Sequence, residues 1–566
     1  MHKWPVARLG GALGLAALPC LAALLSACGT GTGSSAEESV SGIGPTDASA
    51  SNSDETDSAD NGDGDPTGDG DPGDGDPGDG DPGPLKFDLG VLPDSPDESL
   101  GPTCKVVDDM DAVGDCDETA PPNSFDPDVQ WTFMGQNGET QSMTSALVAN
   151  LTDDNGDGEI DLCDVPEVIV AMFASYGQWT GHLYALDGET GAVIWQSAAM
   201  VDTTVTPALG DIDDDGVPEI VAATGGHQLI AFENDGSVAW QSNVTWNTIY
   251  GSFALADVDN SGTPEIIAGN RIHDVDGTVK WTIPIADPNY SATTAADIDG
   301  DDDLEIVMGN SVYHHDGTLL WTTGLGDGYP QIADLDGDGE PEILLLNTQG
   351  ISVIEHDGTI KYQNLTPTGD AASGNTWRRP ATIHDFDGDG QVEYAVSSRN
   401  NYAVYEQDAS ILWQAQVSDQ SGIAAGTAFD FDGDGVAEAM YADEDNLYIY
   451  DGMGAVLLQV PRSSGTIVEY PVVADIDNDG SAEIVVVSNA GGGGGQTAPG
   501  IQVVRDVQDR WIQARRIWNQ HTYHVTNVRE DGTIPQYEQP HWDRLNTFRT
   551  NAQIEGGGIC QPPPQG

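Results

Sequence analysis

Asp211-Ile-Asp213-Asp-Asp215-Gly-Val-Pro-Glu219 decides the fold of this chain, because the stretch recurs. Clear copies stand at Asp334-Leu-Asp336-Gly-Asp338-Gly-Glu-Pro-Glu342 and Asp385-Phe-Asp387-Gly-Asp389-Gly-Gln-Val-Glu393. Eight first-position aspartates, at 153, 211, 257, 297, 334, 385, 430 and 475, lie 37 to 58 residues apart. Periods of this size mark solenoids and propellers. Alternate carboxylates on a turning backbone converge on one centre, and hard oxygens at positions 1, 3, 5 and 9 suit Ca²⁺. Glycine at position 6 lets the loop close, and position 7 offers its carbonyl.

The flanks of each loop read as strands. A short apolar run leads in, as in Thr206-Pro-Ala-Leu-Gly210, Phe253-Ala-Leu-Ala256 and Val472-Val-Ala474. A continuous apolar run leaves, as in Glu219-Ile-Val-Ala-Ala and Glu483-Ile-Val-Val-Val, which is the pattern of a strand buried on both faces. A third strand then meets an Asp-Gly turn and returns in a fourth that often ends in an aromatic, as in Asp276-Gly-Thr-Val-Lys-Trp281 and Asp357-Gly-Thr-Ile-Lys-Tyr362. Four strands per unit and no competing amphipathic helix predict an all-β propeller of about eight four-stranded blades, with seven as the alternative.

With these residues in hand, the chain resembles the FG-GAP/VCBS repeat family, the calcium-loop propellers related to the N-terminal region of integrin α subunits. The resemblance spans 125–520. It implies several structural Ca²⁺ ions in the loops between the first and second strands of each blade, and ligand recognition on the opposite face. The expected metal sets are Asp153, Asn155, Asp157 and Asp161; Asp211, Asp213, Asp215 and Glu219; Asp257, Asp259, Ser261 and Glu265; and Asp297, Asp299, Asp301 and Glu305. The later blades supply Asp334, Asp336, Asp338 and Glu342; Asp385, Asp387, Asp389 and Glu393; Asp430, Asp432, Asp434 and Glu438; and Asp475, Asp477, Asp479 and Glu483.

Three loops depart from the pattern. In the first, the ninth ligand is either Asp161 or, after an insertion, Glu167. In the third, Ser261 replaces a carboxylate, which weakens that site. In the fourth, Asp302 stands where glycine belongs, and aspartate tolerates the left-handed conformation better than most residues. An EF-hand or dockerin reading needs flanking helices and a twelfth-position ligand, whereas strands flank these loops and the carboxylate stands at nine.

The rest of the chain concerns delivery. His2, Lys3 and Arg8 precede an uncharged apolar stretch, Leu9 to Leu25, in the manner of an export signal. Leu25-Ser26-Ala27-Cys28 resembles the bacterial lipoprotein signal, which implies lipid on Cys28 after removal of 1–27, and Gly29 favours onward sorting to an outer membrane. A plain secretory signal is the alternative. Residues 28–100, with repeated Gly-Asp-Gly-Asp-Pro units, read as a disordered tether that has nothing apolar to bury, and 101–124 as an acidic lead-in. Cys104, Cys116, Cys163 and Cys560 are an even set in an exported chain, so disulfides are expected, with three pairings open and Cys104–Cys116 plus Cys163–Cys560 preferred.

A formal charge of −76 argues against nucleic acid as a partner, since a phosphate backbone needs a basic surface. Trp246, Tyr250, Tyr290, Tyr329, Trp377 and Tyr470 recur just before first strands, with Arg378 and Arg379 beside them. They are the candidate ligand-binding residues on the face opposite the acidic loops, with channel packing as the plainer reading. Leu183-Tyr-Ala-Leu-Asp187-Gly-Glu-Thr-Gly191-Ala-Val-Ile-Trp195 resembles the tryptophan repeat of quinoprotein dehydrogenases and reads as blade packing. The segment 521–566 reads as a C-terminal cap, with His521 and His524 beside Trp511 and Trp542 and no companion metal ligand apparent. No nucleophile triad or phosphate loop stands out. The expected function is a surface-displayed adhesion or ligand-binding module for a protein or glycan, with a lyase-type polysaccharide enzyme as the alternative.

Overall fold

The computed structural model describes residues 119–554, apart from 122–123, 246–249, 286–291, 371–376, 420, 422 and 492–495. Eight antiparallel sheets form an eight-bladed β-propeller; seven are built on four consecutive strands, the last takes its fourth from the start of the chain, and the first blade carries one extra short strand. Blade 2 is representative. Its strands run Ala208–Gly210, Glu219–Ala223, Gln228–Phe232 and Val238–Thr245 from the axis outward. The only helical element among the described residues is the 3₁₀ turn His541–Asp543.

Closure is shared between the chain ends. Pro127–Phe133, the first strand in sequence, is the outermost strand of the last blade, where it pairs with Ile501–Asp506. That pairing removes the open edge a linear array of sheets would leave.

The register of every blade follows from the ninth-position acid. The residue before position 1 faces that acid across the first two strands: Gly210 pairs with Glu219, Ala256 with Glu265, Ala333 with Glu342 and Ala474 with Glu483. Second strands such as Glu219–Ala223, Glu342–Asn347 and Glu483–Val487 are buried throughout. Each fully buried Ile, Leu or Val contributes on the order of 1.5–3 kcal/mol, so these strands are the main source of cohesion between blades.

Tryptophans of the outer strands tie each blade to the next. A Cβ placed on Gly191, Gly236, Gly277, Gly317, Gly358 or Gly454 would lie within 3 Å of Trp131, Trp195, Trp240, Trp281, Trp321 or Trp413 respectively. Each glycine belongs to the following blade's turn between third and fourth strands, and each has a positive φ. Trp195 Nε1 donates to Asn234 O at 2.7 Å and Trp321 Nε1 to His356 O at 2.8 Å. The quinoprotein-like motif is therefore blade packing, as read from sequence. Where Tyr362 replaces tryptophan, the next turn carries Ala409 (φ 64°) in place of glycine.

The C-terminal segment is a plug. It runs through the axis against the innermost strands. Val148 and Trp518 exchange backbone hydrogen bonds, as do Ile383 and Phe548. Leu209 N donates to Asn519 O, His541 Nε2 to Ile332 O, Thr427 Oγ1 to Arg549 O, and Asn551 Nδ2 to Val473 O. Inner strands have an unpaired edge facing the axis, and the plug's backbone and amides satisfy it. The segment read as a cap thus fills the channel, and it makes these contacts already from about residue 513, where Gln513 Nε2 donates to Asp475 Oδ2.

Candidate metal loops and the opposite face

The acidic loops repeat one hydrogen-bond scheme. In blade 2, Asp211 Oδ1 accepts from Asp214 N (2.8 Å) and its Oδ2 from Gly216 N (3.0 Å). Asp215 Oδ1 accepts from Val217 N, and Glu219 Oε2 from Ile212 N, both at 3.0 Å. Positions 4 and 6 are left-handed, at φ 64° for Asp214 and 90° for Gly216. Position 4 is Asp, Asn or Gly in blades 2 to 8, and Asp302 takes position 6 of blade 4 at φ 73°, consistent with its tolerance of that region. Carboxylate oxygens of Asp211, Asp213 and Glu219 lie within 4.8 Å of one another, as do those of Asp257, Asp259 and Glu265 and those of Asp297, Asp299 and Glu305.

The donor set fits Ca²⁺. Backbone N–H groups take one oxygen of each ninth-position acid, as Phe386 N takes Glu393 Oε2 and Ile476 N takes Glu483 Oε2. Glu393 Oε1 and Glu483 Oε1 are buried and have no hydrogen-bond partner, and Asp432 Oδ1 shares that condition. An orphaned buried carboxylate oxygen costs several kcal/mol unless a cation or a proton satisfies it. Burial, reinforced by neighbouring aspartates, pushes the carboxyls of Glu219 and Glu393 up to about 8 and that of Glu305 to about 7. A divalent cation reverses this by favouring the ionised form.

Three blades place a basic side chain at the same spot. Lys280 Nζ lies 2.5 Å from Glu265 Oε1 and 2.7 Å from Asp259 Oδ2. Lys361 Nζ bonds Asp336 and lies 3.6 Å from Glu342 Oε1. His314 Nδ1 lies 3.2 Å from Glu305 Oε1 and 3.7 Å from Asp299 Oδ2.

Blade 1 is built differently. Ala149 pairs with Glu167 and Leu151 N donates to Glu167 Oε2 at 2.6 Å, so Glu167 occupies the ninth-position place, with Asn150 and Thr152 where the other blades carry their first two aspartates. Asp153, Asn155, Asp157 and Asp161 lie instead in an inserted loop that Asp164 closes. Asp164 Oδ1 accepts from Asp154 N and Asn155 N, and its Oδ2 from Asp161 N at 2.9 Å. Asp164 is fully buried and twelfth from Asp153, the spacing of an EF-hand-type loop. Asp164 is not among the residues expected from the ninth-position pattern; the run Asp153-x-Asn155-x-Asp157-Gly with an acid at twelve is the signal that marks it.

Among the described residues, most of those proposed for an aromatic ring on the opposite face are buried rather than open to a ligand. Tyr329, Trp377, Arg379 and Tyr470 are buried. Tyr329 OH donates to Tyr250 O at 3.2 Å, Trp377 Nε1 to Asp370 O at 3.1 Å, and Tyr470 OH to His521 O at 2.7 Å. Arg379 pairs with Asp419 at 2.9 Å, and Tyr441 OH donates to the same carboxylate. The physical reason is the plug, which brings His521 and Trp518 against Tyr470 and leaves no open channel for these rings to line. Arg378 and Tyr250 are half-buried, while Trp246 and Tyr290 lie outside the described residues. Met143, Phe173, Ile423, Ile467 and Val468, with Trp179 and Tyr250 packed on them, form an apolar cluster drawn from the connections on this face. Beside it, Tyr176 is 38% exposed and stands edge-on to Trp179 at 4.9 Å. Both lie in the turn between the second and third strands of blade 1, which belongs to the face opposite the acidic loops. Cys28, Cys104, Cys116 and Cys560 lie outside the described residues; Cys163 is half-buried in the inserted loop.

Residues 334–396, 385–441 and 430–486 match the FG-GAP-like repeat. The chain is an eight-bladed propeller whose fifth to seventh blades are FG-GAP-like repeats. Residues 168–313 also match the model described as outer membrane protein assembly factor BamB. No curated protein sequence matches the chain. Among solved structures, the V. cholerae biofilm matrix protein Bap1 is 21% identical at a TM-score of 0.66, over 76% of this chain and 99% of that one. A Bacillus licheniformis rhamnogalacturonan lyase is 17% identical at a TM-score of 0.46, over 75% and 80%. BamB from Moraxella catarrhalis is 13% identical at 0.39, over 66% and 94%. Among the described residues no helix is long and apolar enough to cross a membrane.

Proposed function

We propose that this protein is a calcium-loaded propeller, held outside the cell by lipid on Cys28, that binds an extracellular protein or glycan through the face opposite its acidic loops. The observation that carries the reading is the difference between the two faces. On one, buried carboxylate oxygens such as Glu393 Oε1 and Glu483 Oε1 lack partners, the condition a structural Ca²⁺ relieves. On the other, Tyr176 and Trp179 offer aromatic surface beside a packed apolar base, suited to stacking on a sugar or gripping a protein loop. The plug occupies the axis, so ligand contact falls to surface loops rather than to a central cleft. Fold likeness to a protein described as a biofilm matrix component is in keeping with a place outside the cell.

Binding is tested by presenting the Ca²⁺-saturated protein to glycan and matrix-protein arrays, alongside Tyr176→Ala and Trp179→Ala. Loss of a wild-type signal in both variants, with melting temperature retained, supports the reading. Binding unchanged in both removes this face from it, and turnover of a polyuronide would replace it with the lyase. Anchoring is tested separately: Cys28→Ser releases the protein from the membrane fraction if lipid holds it there.

A further inference from the structure

Inside the plug, three residues far from the acidic loops form a cluster of different chemistry. One ligand atom each of His524, Glu538 and His541 lies within 4.8 Å of the others. His524 Nε2 is 2.6 Å from Glu538 Oε1, and the two imidazoles are 4.5 Å apart between centroids. Both histidines are 1% exposed, and the Glu538 side chain is 6% exposed. His524 Nδ1 bonds Thr522 O at 3.0 Å, and His541 Nε2 bonds Ile332 O at 2.9 Å. Each ring turns one nitrogen to a backbone carbonyl, which holds its orientation, and the other nitrogen of His524 meets Glu538. Metal-bound histidines are held in this way. Phe548 stacks on His524 at 5.5 Å and Trp542 stands edge-on to His541 at 5.0 Å, so apolar walls enclose the rings.

We propose that His524, Glu538 and His541 bind one first-row divalent transition metal of the zinc type. Two imidazoles and a carboxylate are the donor set of such ions, whereas Ca²⁺ takes oxygen only. Metal–ligand distances of about 2.0–2.2 Å place neighbouring donors roughly 3.3 Å apart, so Glu538 must move away from His524 by under about 1 Å. The bound ion joins two separate runs of the plug, and through the His541 contact to Ile332 it ties them to the innermost strand of blade 5, Tyr329–Ala333.

The test uses the intact chain, stripped with chelator and then saturated with Ca²⁺ so that the oxygen loops are occupied. Co²⁺ is titrated as a visible-absorption probe. The expected result is one equivalent bound, with the intense d–d bands of a low-coordinate nitrogen–oxygen site, abolished by equimolar Zn²⁺ and accompanied by a higher melting temperature. His541→Ala and Glu538→Gln should each lower the affinity at least tenfold. Glu538→Gln keeps the shape of the side chain and decides the matter if His541→Ala fails to fold. No Co²⁺ or Zn²⁺ uptake by the Ca²⁺-saturated wild type, or equal uptake in folded Glu538→Gln, overturns the site in favour of a plain His524–Glu538 ion pair.

Discussion

Lys280 reaches inward from the outer strand of blade 3 and places its ammonium 2.5 Å from Glu265 Oε1, the oxygen that in blades 6 and 8 has no partner. A fixed positive charge thus stands where a metal would draw its ninth-position ligand. Blade 3 also carries Ser261 in place of an aspartate, so its loop is both short of one carboxylate and already neutralised.

From this, Lys280→Gln should strengthen Ca²⁺ binding at blade 3. Removal of a competing charge at hydrogen-bond distance is worth about 1.4 kcal/mol or more, so the weakest site should tighten about tenfold. Calorimetric Ca²⁺ titration of wild type and variant checks this, and an unchanged weakest class would show that Lys280 does not compete.

Calcium stabilisation should grow with pH. The buried acids have raised folded values, about 8 for Glu219 and Glu393 and about 7 for Glu167, with burial the main cause. For a raised carboxyl the metal-free fold keeps its full stability below the unfolded value near 4.5 and loses it as pH rises through 7 to 8. Ca²⁺ competes with those protons and holds the ionised form. The melting-temperature difference between Ca²⁺ and chelator should therefore be small at pH 5 and large at pH 8. A difference independent of pH would separate the ions from these carboxylates.

Glycine is required under the tryptophans. In Gly277→Ala the new Cβ would lie 2.4 Å from Trp240 Cζ3 on a backbone at φ 79°. Overpacking and left-handed strain together should cost about 2–4 kcal/mol. At Ala409, under Tyr362 rather than tryptophan, Ala409→Gly should be nearly neutral, within about 1 kcal/mol. Urea unfolding midpoints of the two variants test the contrast.

Glu530→Ala should loosen the plug. Arg516 is fully buried, its Nε 2.7 Å from Glu530 Oε1 and its Nη1 donating to Leu162 O of the inserted loop. Stranding a buried guanidinium costs about 3–5 kcal/mol. Limited proteolysis should then cut within 507–554 while the blades survive, and protection equal to wild type would show that the pair contributes little.

Much of this architecture was legible in the chain. Asp211 to Glu219 and its relatives give blade number, register and loop chemistry because each unit's information is local: a turn needs its glycine, and a strand buried on both faces needs a continuous apolar run. The Trp240–Gly277 contact was half legible, since both residues recur in the text although their stacking crosses between blades. Asp164 was missed although its spacing was on the page. Tyr329, Trp377 and Tyr470 read as candidates for an open face because nothing near them in sequence announces what covers them.

The sequence alone determined the repeat, the propeller and the placing of the acidic loops in blades 2 to 8, since all three follow from short-range periodicity. Tertiary structure decided what fills the axis. Residues 513–553 have no repeat signature, and their backbone pairs with strands up to several hundred positions away, as Trp518 does with Val148. The plug covers Tyr329 and Tyr470 and brings His524, Glu538 and His541 together. Such groups meet because the inner strand edges need hydrogen-bond partners, a demand that arises only once eight blades have closed around one axis.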